Sequence, residues 1–189
     1  MGTDHLDDVI AGGESYTVEF KSDVNDDELV EAVVCLANGD GGTLLIGVAD
    51  DGTVLGARCR HGATTDGPRL EALVANRTSP ALTVDADVQQ REGQDIVVIR
   101  VPKPASVVAT TSGRYVRRAI DVDGKPQCLP MLPHEAQART TALGVRDLSV
   151  LPIGDVTLDD LDPTELDRFR NLADAGGDGR VEEAGQIPG

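Results

Sequence analysis

The chain lacks tryptophan altogether and has only two tyrosines and two phenylalanines in 189 residues. Its core must therefore come from Val, Leu, Ile and Ala, which the 40% hydrophobic content can supply. No apolar run approaches the roughly eighteen residues that a membrane-spanning helix needs. The N-terminal MGTDHLDDVIAGG has no hydrophobic stretch, so it does not read as a secretory signal, and it lacks the Ser or Thr of a myristoylation site. The expectation is a cytoplasmic protein without a membrane partner. Cysteine is scarce as well. Cys35, Cys59 and Cys128 form an odd set with no framework spacing, which predicts reduced thiols. Cys59-x-His61, with Cys128 and His134, could meet around a zinc ion, but the spacing matches no standard zinc pattern. Small buried or half-exposed cysteines are the plainer reading. Positive charge is also short. A formal net charge of −16 excludes a protein that coats nucleic acid indiscriminately. The imbalance is uneven: residues 149–189 hold ten acids and three bases, whereas residues 58–125 hold eight acids and eleven bases. A locally basic surface is compatible with the acidic total.

GESYTVEFK at 13–21 alternates Tyr16, Val18 and Phe20 with Ser15, Thr17, Glu19 and Lys21. That predicts a half-buried strand with one wet face. NDDELVEAVVCLANGDGG reads as a helix. Asn25 and Glu28 have capping-box spacing, Leu29, Val33, Leu36 and Ala37 share a face, and Val30 and Val34 widen it. Asn38-Gly39 ends this helix. TLLIGV is apolar on both faces, as a central strand is. ADDG is a tight turn that predicts TVLGA as the returning hairpin partner. DGPRLEALVANRTS is a second helix that stops before Pro80. TVDADVQQRE and DIVVIRVPKP pair through EGQ, SVVATTSGRYVRRA adds strand material, and LPHEAQARTTAL is helical. Residues 1–13 read as a solvated lead-in with at most one helical turn. From Pro152 the text becomes acidic, with a capped helix near 162–173 and a Gly-rich tail expected to be disordered. These elements predict an α+β domain over 1–150, a mixed sheet with packed helices, followed by an acidic segment at 151–189.

E-x4-EFK, the helix ending in LAN, GGTLLIGVADDG-x-V-x-G and YVRR together resemble the Schlafen-like AlbA_2 domain over roughly residues 12–120. The resemblance implies an α+β fold of nucleic-acid-associated proteins. Animal members cleave tRNA and rRNA with two such lobes, and many prokaryotic members are described as transcriptional regulators or ATP-binding proteins. Carried over, the active carboxylates are Glu14, Glu19 and Asp50, with Asp51 as the neighbouring alternative. Phosphodiester hydrolysis there uses Mg or Mn held by those three, and oxygen ligands suit both ions. Glu14 and Glu19 are five residues apart and point to opposite faces of a regular strand, so either Glu14 belongs in the turn before it or a bulge corrects the parity. Lys21 shares the face of Glu19 and either meets a scissile phosphate or pairs with Glu19.

Gly41-Gly42 lacks the Gly-Lys-Ser/Thr ending of a Walker A loop, which makes ATP an unlikely ligand. The pair fits close packing or a helix-to-strand turn instead. In SGRYVRR, Arg114, Arg117, Arg118 and the nearby Lys125 are candidates for phosphate contact, and Tyr115 is a candidate for base stacking. The competing reading is an edge strand protected by charge. The leading expectation is a metal-dependent endoribonuclease acting on structured RNA such as tRNA, with RNA favoured over DNA. It would be a homodimer in which a second copy replaces the second lobe. A non-catalytic nucleic-acid-binding regulatory module and a dimerisation or interaction domain are the alternatives.

Overall fold

The computed structural model describes residues 3–59, 65–144 and 162–175. The chain divides into two compact units, 1–148 and 149–189. In the second, the described element is the helix α5, Pro163–Ala175, which carries exposed Phe169 and Leu172. The Gly-rich tail expected to be disordered lies outside the described residues.

The first unit runs α1 (Thr3–Gly12), β1 (Val18–Lys21), α2 (Asp26–Ala37), β2 (Gly42–Ile46), α3 (Gly67–Arg77), β3 (Thr78–Ser79), β4 (Asp85–Arg91), β5 (Gln94–Val101), β6 (Ala109–Thr110), β7 (Val116–Ile120), β8 (Pro126–Pro130) and α4 (Pro133–Ala142). The main sheet has the order β1-β2-β5-β4. β1 and β2 are parallel, joined through α2, and the other pairs are antiparallel. The sheet is therefore mixed and the fold is α+β. β3 pairs with β6 and β7 with β8 in two small separate sheets.

The period-2 pattern of the strands builds a core on each face of the main sheet. Leu44, Ile46, Val97 and Ile99 pack against the apolar stripes of α2 and α3. Phe20, Leu45, Ile96 and Val98 form the other core with Leu6, and Val9 and Ile10 pack against it. The N-terminal segment is thus a ten-residue helix covering one sheet face, not a solvated lead-in. Leu6, Val9 and Ile10 lie on one helical face, and burying them outweighs the polarity of the residues between.

Asn25 caps α2 in the expected box. Its side chain accepts from the Glu28 N–H, and Glu28 accepts from the Asn25 N–H. The β4–β5 hairpin also forms as expected, turning on Glu92 and Gly93, both with positive φ. TVLGA does not pair as expected. It makes one bridge, Val48 with Val54, while β2 takes β5 as its antiparallel neighbour. The reason is local. The Gly47 carbonyl accepts from both Leu55 and Gly56, and the chain then leaves for β5, where the Ala57 N–H reaches the Asp95 carbonyl. The Gly41-Gly42 pair does serve close packing: a Cβ on Gly42 would lie 2.0 Å from the Thr17 carbonyl oxygen, at φ +144°.

Candidate nucleic-acid interface

β1 presents Glu19 and Lys21 on the same sheet face as Leu44, the face that α2 covers. Sequence alternation makes this a wet face, but the structure buries Glu19 to 7% exposure. The cover is the β7–β8 hairpin, which brings Arg118 down onto β1. Arg118 Nη1 donates to Glu19 Oε2, and Nη2 donates to the Ser15 and Val18 carbonyls at 2.8 and 3.0 Å. Lys21 Nζ holds the other carboxylate oxygen of Glu19 at 2.5 Å. Arg118 is buried to 1% side-chain exposure, so it cannot meet a phosphate in solvent; the expected nucleic-acid contact is instead a structural ion pair.

Glu14 lies in the turn between α1 and β1, the first of the two placements that the spacing allows, and its Oε1 accepts from the Phe20 N–H at 3.0 Å. It thereby closes part of the free edge of β1. Asp50 and Asp51 are exposed in the turn after β2. There the hydrogen bonds of the Thr53 hydroxyl and, next, of the Thr53 N–H hold the Asp51 carboxyl below the ordinary aspartate value. The three carboxylates of the hydrolytic reading thus stand apart, one on a strand edge, one beneath two cations and one in a solvated turn. Among the described residues no group of three or more His, Cys, Asp and Glu side chains could hold a metal ion. Glu19 has both oxygens satisfied by cations, which opposes binding of a further one. As placed, these residues do not fit Mg or Mn. Beside Glu19 a cleft of about 370 Å³ opens between β1, α2 and β8, lined by Lys21, Glu28, Glu31 and Gln127 among others.

Cys128 borders that cleft and is bonded to Cys35 of α2. The expected free thiols are therefore replaced by one disulfide and one exposed thiol, Cys59. Cys128 is accordingly withdrawn from any zinc site with His134, and His61 lies outside the described residues. The pairing links two residues 93 apart in sequence, so spacing carried no sign of it.

The remaining basic candidates are more open. Arg117 is half-buried and grips Glu135 of α4 at 2.7 and 2.9 Å. That hydrogen bond, with a second from the Leu132 N–H, holds the Glu135 carboxyl below the ordinary glutamate value. Arg114 is largely exposed and makes a two-pronged contact with Glu31 at 2.6 and 2.9 Å. Tyr115 is exposed, and Lys125, also exposed, makes no ion pair among the described residues.

Arg114 forms one wall of a second groove, of about 310 Å³, with Arg77, Thr110, Thr111, Ser112 and the acids Asp27 and Glu31. Arg77 pairs with Asp27 at 2.5 Å. Nothing in the sequence singles out Arg77, which sits at the end of α3 and joins Arg114 through the β3–β6 pairing. Asn38 was also unmarked as a functional position. Its side chain donates to the Val108 and Val116 carbonyls and accepts from the Val108 N–H, which fixes the approach to the groove onto the end of α2.

A family model described as Schlafen, AlbA_2 matches residues 14–123, more than half of the chain. Among solved structures, the DIP2311 protein from Corynebacterium diphtheriae is similar at 21% identity and a TM-score of 0.57. The match covers 89% of this chain but 37% of that one, so the chain spans little more than a third of that protein. The N-terminal domain of an ATP-dependent DNA helicase RecG-related protein from Nitrosomonas europaea is 27% identical, covering 53% of this chain and 72% of that one, with a TM-score of 0.37. No curated protein matches.

Proposed function

For a chain that belongs to the Schlafen AlbA_2 family, we propose a non-catalytic nucleic-acid-binding role, with RNA preferred over duplex DNA. The observation that carries this reading is the groove where Arg77 and Arg114 flank the hydroxyls of Thr110, Thr111 and Ser112, next in sequence to the exposed Tyr115. Guanidinium groups and hydroxyls are the usual donors to phosphate oxygens, and an exposed tyrosine suits an unpaired base better than a stacked duplex. Each arginine already has a carboxylate partner, which a phosphate must displace. Binding is therefore weak, and with two guanidinium groups its salt dependence is shallow.

The hydrolytic alternative needs Glu14, Glu19 and Asp50 to share a Mg or Mn ion. Glu19 would have to exchange Arg118 and Lys21 for the metal and leave a buried guanidinium without its counter-charge. The family's cleavage chemistry is the motive for testing it; the placement of the carboxylates favours the binding role.

Fluorescence anisotropy with labelled tRNA, single-stranded RNA and duplex DNA at low salt tests the proposal. Wild type should bind both RNAs more tightly than the duplex. Arg114→Glu should weaken RNA binding about tenfold or more, and Tyr115→Ala about fivefold or more. Absence of binding at low salt, or equal binding by both variants, would overturn the reading. Mn- or Mg-dependent RNA cleavage by wild type, lost in folded Glu14→Gln, would install the endoribonuclease in its place.

A further inference from the structure

The groove between α2, the end of α3 and the β6–β7 loop holds its two arginines in matched ion pairs. Arg77 meets Asp27 at 2.5 Å, and Arg114 meets Glu31 at 2.6 and 2.9 Å. Asp27 and Glu31 are four residues apart on α2, so they share a face with their Cβ atoms about 5–6 Å apart. The arginines themselves stand on a braced frame. The Thr111 N–H donates to the Arg77 carbonyl at 2.9 Å, β3 pairs with β6, and the Arg114 N–H donates to the Thr110 hydroxyl at 3.0 Å. Each guanidinium sits on its own carboxylate, so the two are held about one helical turn apart before any ligand arrives. Both stay open to solvent, with the Arg77 side chain 44% exposed and that of Arg114 63% exposed.

We infer, resting on the nucleic-acid reading above, that the groove takes two successive phosphates of one RNA strand, and that Asp27 and Glu31 are built-in competitors occupying those two positions in the free protein. A guanidinium fork accepts a carboxylate and a phosphate alike, through parallel N–H donors. The step along α2 from Asp27 to Glu31 is of the same order as the step between neighbouring phosphates on a strand. One phosphate thus replaces Asp27 on Arg77 and the next replaces Glu31 on Arg114, with the hydroxyls of Thr111 and Ser112 beside them. The displaced carboxylates remain on the wall of the groove, because α2 is a packed helix, and they repel the strand. They lower its affinity, and they flatten the salt dependence because salt screens repulsion along with attraction. An isolated anion displaces one pair and gains less than a strand that satisfies both arginines. A purely structural role for these pairs has the opposite sign: neutralising the acids then loosens the β6–β7 loop and weakens binding.

Fluorescence anisotropy of the full chain with a labelled octauridylate, over about 50 to 200 mM salt, tests the inference. Asp27→Asn and Glu31→Gln should each tighten binding about two- to fivefold, and together about tenfold. The log–log salt slope of the double variant should approach about −1.4, the sum for two phosphates on a single strand, with wild type shallower. Adding Arg77→Gln to the double variant should bring the slope to about −0.7. Asp27 is 88% exposed, so its variant keeps the fold and decides alone if Glu31→Gln lowers the melting temperature. Binding that the neutral variants leave unchanged or weaken overturns the inference and leaves the nucleic-acid role standing. A double variant whose slope stays near −0.7 does the same, by showing a single phosphate contact. Absence of RNA binding at low salt, by wild type and double variant alike, overturns both.

Discussion

Arg118 and Glu19 form a buried ion pair, and among the described residues Arg118 Nε has no partner. Neutralising Glu19 leaves the guanidinium in a low-dielectric site with its counter-charge gone. Glu19→Gln, although isosteric, should cost about 3 kcal/mol or more in urea unfolding. Replacing both, as Glu19→Leu with Arg118→Met, should recover most of that loss, since desolvation is removed along with attraction. A surface role for Glu19 would instead leave stability unchanged on Glu19→Gln. Arg117, one residue away, behaves differently. Its hydrogen bond lowers the Glu135 carboxyl in the folded state, so the interaction is fully present above the ordinary glutamate range and is lost as pH falls through that lowered value. NMR titration should show Glu135 protonating at lower pH than an unperturbed glutamate, and Arg117→Ala should move it back up. The contrast between the two arginines was partly legible. Val116 reads as core, and Arg118 shares its parity, so strand alternation already places Arg118 inward. What alternation cannot supply is the partner, because Glu19 is 99 residues away.

At the scale of elements, the β7–β8 hairpin is fastened to α2 rather than hydrogen-bonded into the main sheet. The fastenings are the Cys35–Cys128 bond and the Asn38 side chain, with Val116 buried against the core and Arg118 reaching β1. Cys35→Ala with Cys128→Ala should lower stability by about 2–4 kcal/mol. Hydrogen exchange in β7 and β8 should quicken in that variant before exchange in β2 or β5, and uniform quickening throughout would mean that the hairpin is not a separate unit. Elements governed by local chemistry were readable. The Asn25–Glu28 box starts α2, Glu92-Gly93 turns β4 into β5, and the apolar run of β2 marks a central strand. Elements governed by distant partners were not. TVLGA looks like a hairpin strand until the Asp95 carbonyl draws Ala57 away. α1 looks too acidic to pack until the sheet supplies a face for Leu6, Val9 and Ile10.

For the whole molecule, the first compact unit comprises residues 1–148, and the family match lies wholly inside it. Residues 1–150 alone should therefore fold with a melting temperature within a few degrees of the full chain, a comparison that calorimetry can make. A loss of more than about ten degrees would mean that residues beyond 150 contribute to the core. The sequence was a fair guide to this architecture and a poor one to its surface chemistry. It marked Glu19 and the arginines of residues 114–118, but not Glu31 or Glu135, nor which carboxylate holds which arginine.

The distance between Glu19 and Arg118 also bears on how the chain is made. A ribosome releases β1, α2 and β2 long before β7, so the growing polypeptide can form its parallel strand pair while Glu19 still faces water. Only when residue 118 emerges does the guanidinium arrive to cover that carboxylate, and only after Cys128 follows can the sulfurs of α2 and β8 join. During synthesis the sheet can thus form while this acidic face is still unclosed. Completion waits on a hairpin encoded about a hundred residues downstream.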